Sequence, residues 1–274
     1  MKERIKIFGV LVLSGFSFFY TNKVSNIIKD NDPIMKEINK AKETMYIKKT
    51  DRITMNDEYL TGINGCVIDE KNSYNKMKNQ GEYKKELLVM KEDEIKKDNY
   101  LYIVGGNKEK RNVSIILLNI NDNINKYVKK NNIKINYFLD GKYITNNLDT
   151  LINISKYSNI YSYGRDKKYN NKYILFDNNM IKANFNNESN YCFLEEKNEK
   201  VLKLCSSYNM KTIKNKVIDD KYLVTVKESL SSGKIYTFKN ISYDEFLVVT
   251  KYILSKGYNI KTIDDLLDES NNCN

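Results

Sequence analysis

INYFLDGKYITNNLDTL, residues 135–151, is the stretch that decides the fold. Its front half completes IKINYFL, Ile133 to Leu139, which reads as a strand, and a helix follows at about Asn146 to Lys156. Upstream the same order occurs: VSIILLNI from Val113 is a buried-strand run and NINKYVKKNN is helix-like. Downstream, strands are expected at Asn159 to Tyr163, at YILF from Tyr173, at MKTIKN and at GKIYTFK from Gly233. Helices are expected at Glu195 to Tyr208 and at KYLVTVKESL. Ser242 with Glu245 forms a capping box for a last helix that stops at Gly257, where glycine can turn left-handed. Buried strands alternating with helices predict an α/β fold on a parallel sheet, open or closed into a barrel.

Around this core, composition narrows the classes. The 274 residues are 41% hydrophobic, enough for one full domain and a smaller region. The net charge of +11 raises nucleic acid as a partner. Yet the lysines are spread along the chain and mixed with acids, as in KEDEIKKDN, which reads as a solvated surface and argues against nucleic acid. At the start, Lys2, Arg4 and Lys6 precede the apolar run Ile7 to Tyr20, with no small-residue cleavage site after it. Residues 1–23 therefore read as an uncleaved signal anchor in preference to a removed leader. The flanking positive charge puts the bulk of the chain outside a cell membrane that it crosses once.

Residues 24–50 read as a charged helical stalk containing the one proline, Pro33, and 51–111 as a small mixed region with turn glycines Gly62 and Gly65. The strand-helix domain covers 112–270. Cys66, Cys192, Cys205 and Cys273 show no C-x-x-C spacing, so neither zinc nor a redox motif is indicated. They read by default as free small hydrophobes. A Cys192–Cys205 bridge fits an outside location but does not follow from spacing.

From about Val113 to Leu267 the segments resemble the polysaccharide deacetylase family, the NodB homology domain. INYFLDGKYITNNLDTL is similar to that family's second strand and helix, "ATFFLVGKWVEKNPEL", and EFLVVTKYILSKGYNIKTIDDLL resembles its closing helix, glycine turn, strand and "TLSELL". The resemblance implies a deformed (β/α) barrel and a divalent metal, usually zinc, held by one aspartate and two histidines, with a second aspartate as base. Here the "TFDD" motif falls on Ile116 to Asn119, so Leu118 stands at the base position and Asn119 at the metal aspartate. The "H-x-x-x-H" pair falls on Tyr163 and Lys167. "RPPYG" falls on Tyr191 to Glu195, and the "LLHD" histidine on Lys239.

The chain contains no histidine, so no shift of register restores two imidazole ligands. The metal is expected to be lost, leaving no cofactor, and losing several parts of a cooperative site removes most of its power. A rebuilt oxygen site from Asp122, Asp140 and Asp166 is the alternative, although acids after strands more often cap helices. The DNN at Asp177 reads as a turn first and a ligand second. A serine or cysteine nucleophile lacks its base, and Gly105–Gly106 lacks the pattern of a phosphate loop. The expectation is an anchored, extracytoplasmic pseudoenzyme that binds cell-wall glycan or a wall-associated protein, with Tyr163, Tyr191 and Asp122 among the groove candidates. A scaffold without a glycan site, or an active N-deacetylase with a rebuilt metal site, are the alternatives.

Overall fold

The structure is a computed structural model that describes residues 31–96, 100–185, 187 and 191–273. The anchor expected over residues 1–23 and the start of the stalk lie outside the described residues. Among the described residues no helix is long and apolar enough to cross a membrane. The described residues form two compact units, one from 31–49, 64–94 and 271–273, the other from those within 50–63 and 95–270.

In the smaller unit the stretch expected to be a stalk is a packed helix, α1 (Pro33–Thr44). Asp32 caps it by accepting from the Ile34 N–H at 2.8 Å, and Pro33 sits at the first helical position, where its missing donor costs nothing. Ile34, Met35 and Ile38 are buried with Ile68 and Met77. Those partners come from β3 (Gly65–Ile68) and α2 (Glu70–Lys78), and β3 pairs antiparallel with β4 (Met90–Asp93). A charged sequence hid an apolar face, which is why a free stalk was expected. Cys66 and Cys273 are disulfide-bonded across 207 residues, so they are not free hydrophobes.

The larger unit holds two sheets. The first runs β11 (Val217–Ile218), β12 (Ile235–Phe238), β6 (Asn112–Leu117), β7 (Asn136–Leu139), β8 (Asn159–Ser162), all parallel, with β13 (Asn259–Lys261) beside the start of β6. The second runs β1 (Ile53–Met55), β2 (Glu58–Leu60), β5 (Tyr102–Gly105), β10 (Lys211–Lys214), β9 (Tyr191–Leu194), parallel except between β1 and β2. Among the described residues no ladder joins β8 to β9, so the expected barrel is two arcs rather than a closed cylinder. The expected boundary at 112 also moves, since β1, β2 and β5 belong to the second sheet.

Both faces of the first sheet are buried, and this explains its predominantly apolar runs. Val113, Ile115, Leu117, Tyr137 and Leu139 pack against helices. Ile116, Phe138 and Tyr161 pack against Phe193 and Ile213 of the second sheet. The connecting helices are α3 (Asp122–Asn131), α4 (Gly141–Asn146), α5 (Leu148–Ser155), α6 (Asn171–Asn184), α7 (Glu199–Ser207), α8 (Tyr222–Ser229), α9 (Tyr243–Ser255) and α10 (Ile263–Leu267).

Two readings of this unit change. YILF lies in α6, where Ile174, Asp177, Asn178 and Ile181 are buried at helical spacing and Asn170 caps the first turn. A four-residue apolar run cannot distinguish the two periods. Gly62 is not a turn residue; a Cβ there would meet the Thr50 carbonyl oxygen at 2.2 Å, so only glycine allows the two strands of backbone to approach. The α9 capping box forms as read, and Gly257 has φ +74°. Cys192 and Cys205 pair, tying β9 to α7.

Candidate functional site

Leu118, Asn119, Tyr163, Lys167 and Lys239 lie where parallel strands end and loops begin. After β6, Leu118 is half-buried against the cluster between the sheets, and its N–H donates to the Phe238 carbonyl at 3.2 Å. Asn119 is exposed, and its amide donates to the Asn240 side chain beyond β12. Asp122 is exposed in the first turn of α3, where the helix dipole favours an acid; the cap itself is Asn121.

β8 leads into a tight loop. Gly164, Asp166 and Lys167 have φ of +71°, +52° and +59°, and Arg165 and Lys168 exchange backbone hydrogen bonds at 3.0 Å. This turn brings Tyr163 and Lys167 to one carboxylate, Glu195, the residue after β9. The Tyr163 hydroxyl donates to Glu195 Oε1 at 2.6 Å, and Lys167 Nζ lies 3.5 Å from the same oxygen. The ammonium also stands 5.7 Å from the centre of the Tyr163 ring. Burial first, and then the bond to Glu195, push the Tyr163 phenol well above its ordinary value, so it stays protonated as the donor.

Behind this loop Arg165 and Asp177 form a buried ion pair, with Arg165 Nη2 2.7 Å from Asp177 Oδ1 and side-chain exposures of 15% and 3%. The guanidinium lies 4.4 Å from the Tyr173 ring centre, and its hydrogen bond to Asp177 raises its pKa. Asp177 is therefore a helix residue holding the loop, not a turn signal.

The other candidates do not join the cluster. Tyr191 opens β9, is 2% exposed and stands edge-on to Tyr161 at 5.4 Å, so its ring is core and offers no face to a ligand. Lys239 is half-buried, and its backbone carbonyl accepts from the Tyr222 hydroxyl at 2.6 Å. Asp140 caps α4, accepting from the Lys142 N–H at 2.8 Å, and its second oxygen accepts from the Asp166 N–H. Asp166 pairs with Lys142 at 2.6 Å. Among the described residues no group of three His, Cys, Asp or Glu is placed to hold a metal ion. Glu195 was missed as a site residue; an acid directly after a strand was the available signal.

No protein-family profile matches the chain, and no curated protein does. Solved structures do. A mutant of a CE4 family pseudoenzyme with restored enzymatic activity is 20% identical, with TM-score 0.62 over 86% of this chain and 98% of that one. The wild-type pseudoenzyme, from Bacillus anthracis, is 19% identical, with TM-score 0.59 over 88% and 96%. The chain has the CE4 polysaccharide deacetylase fold. A peptidoglycan N-acetylglucosamine deacetylase is 14% identical, with TM-score 0.51 over 62% of this chain and 95% of that one. The two pseudoenzyme structures match a longer span of this chain than the deacetylase does. In this CE4 fold the loops after β6, β8, β9 and β12 carry Leu118 and Asn119, Tyr163 and Lys167, Glu195, and Lys239. They place a phenol and an ammonium on a carboxylate. Such a set can hold a loop or present a charge.

Proposed function

We propose that this chain is a catalytically inactive member of the deacetylase family that binds cell-wall glycan outside the cytoplasmic membrane, held there by residues 1–23. The observation that carries the reading is the Tyr163–Glu195–Lys167 cluster, at the loop that the sequence resemblance assigns to the two imidazole ligands. Lysine at that point repels a divalent ion, and the Glu195 carboxylate beside it is already engaged. The absence of histidine removes the alternative ligand. Cys66–Cys273 and Cys192–Cys205 fit an oxidising, extracytoplasmic compartment.

The test has two arms. The purified protein is incubated with an acetylated chitooligosaccharide and zinc, manganese or cobalt, and acetate release is followed; none is expected. Release that chelation abolishes would overturn the loss of catalysis. In the second arm the protein is mixed with insoluble peptidoglycan and sedimented, and retention is expected. A scaffold without a glycan site is the second reading, favoured by the burial of Tyr163 and Tyr191 at 8% and 2% exposure. Absence of retention would support it.

A further inference from the structure

Two neighbouring helices of the first sheet's outer layer carry matching stripes. On α3 the stripe is Asn123, Lys126, Tyr127, Lys130 and Asn131, spaced three and four residues apart; on α9 it is Tyr243, Leu247 and Lys251. They line an open groove of about 700 Å³. Tyr127 is held in place, its ring meeting Tyr243 at 6.2 Å and Phe246 at 6.3 Å, both edge-on.

The charge lining this groove is of one sign. Lysines such as Lys42, Lys142 and Lys214 are paired with carboxylates. No carboxylate lines this groove, and among the described residues Lys126, Lys130 and Lys251 enter no ion pair. The end of a helix explains one of them, since Lys130 suits the negative end of α3, but Lys126 and Lys251 are set further back. Three ammonium groups flanking two phenol rings and Leu247 match a chain of pyranose rings bearing regular negative charge. The apolar faces of the sugars would pack on the tyrosines while the carboxylates meet the lysines. From Tyr243 to Lys251 the helix rises about 12 Å at ~1.5 Å per residue, a length that a short oligosaccharide covers.

We infer that the groove between α3 and α9 binds a linear glycan carrying a carboxylate on its repeating unit. This specifies the ligand class for the glycan-binding reading above and rests on it, but uses a surface separate from the degenerate cluster. The test uses the full chain and oligogalacturonate in titration calorimetry at several salt concentrations. A triple variant, Lys126→Glu, Lys130→Glu and Lys251→Glu, is expected to bind at least about tenfold more weakly and with a flatter salt dependence. A control triple variant, Lys36→Glu, Lys40→Glu and Lys48→Glu, changes net charge equally and is expected to bind as wild type does. Thermal unfolding of both variants checks that they fold.

Equal weakening in both variants, or none in either, overturns the groove. So does binding of a neutral chitooligosaccharide, or of a single-stranded oligonucleotide, more tightly than oligogalacturonate. Sedimentation with peptidoglycan run alongside separates the two claims. Retention of wild type without oligogalacturonate binding overturns this inference alone. Oligogalacturonate binding at the groove without retention leaves this ligand class standing and removes the peptidoglycan reading.

Discussion

Replacing Asp177 by asparagine keeps the shape of the side chain and removes its charge, which isolates the contribution of the ion pair behind the β8 loop. Asp177 is 3% exposed in its side chain and accepts from both Nε and Nη2 of Arg165, at 3.2 and 2.7 Å. Without the carboxylate, a guanidinium 15% exposed is left against the Tyr173 and Phe176 rings with its charge uncompensated. Breaking a buried pair from one side costs about 3–5 kcal/mol, and the partial access of water to Arg165 puts this case near the lower end, about 3 kcal/mol. For a unit of this size that corresponds to a fall of ~6–12 °C in Tm. Guanidinium denaturation followed by far-ultraviolet circular dichroism measures the change. The companion double variant, Arg165→Met with Asp177→Leu, removes both charges and is expected to recover most of the loss, because packed apolar groups replace a buried pair at little cost. A loss below about 1 kcal/mol for Asp177→Asn, the range of surface pairs, would refute the claim that this pair holds the loop. So would a double variant no more stable than the single one.

Tyr163→Phe deletes the hydroxyl that donates to Glu195, and since Glu195 is 41% exposed and keeps Lys167, the expected cost is only about 1 kcal/mol by the same denaturation assay. At Glu269, burial raises the pKa, but the Arg52 hydrogen bond and the Gly62 N–H outweigh it and hold the carboxyl below its ordinary value of 4.5. Its contribution is thus fully present above pH 4.5 and is lost as pH falls through the lowered folded value; Glu269→Gln should flatten the acid limb of the stability curve, and an unchanged limb would refute the assignment. Rebuilding the family set with Leu118→Asp, Asn119→Asp, Tyr163→His and Lys167→His is expected to bring about one zinc per chain, measured by elemental analysis, against none expected in wild type. Turnover should remain low, because Tyr191 and Lys239 still stand at the remaining motif positions.

Much of the second unit could be read in advance. Runs such as VSIILLNI and IKINYFL were legible as strands because both faces of the sheet are buried, and burial on two faces leaves a mostly apolar signature, broken here by Ser114 and Asn136. Ser242 with Glu245 and the φ of Gly257 are local, so the ends of α9 were legible from residues within a few positions. YILF was misread for the opposite reason: four apolar residues fit either period, and the choice was made by Asn170 capping and by burial of Ile174 and Ile181 against distant elements. The stalk was misread because Ile34, Met35 and Ile38 are spaced among lysines and acquire meaning only beside Ile68 and Met77.

At the candidate site the division is similar. The missing imidazoles are a fact of composition, present before any folding, and the resemblance by itself proposed which residues stand at the motif positions. Chain order also set the succession of strands and helices, since short connections keep neighbours together. The meeting of Tyr163 and Lys167 on Glu195, the burial of Tyr191, and the bond of Cys66 to Cys273 across 207 residues arise from contacts between segments far apart in the chain. Local pattern reports how a residue is buried, not which distant residue it is buried against, and so those pairings were settled only when the sheets and their helices packed.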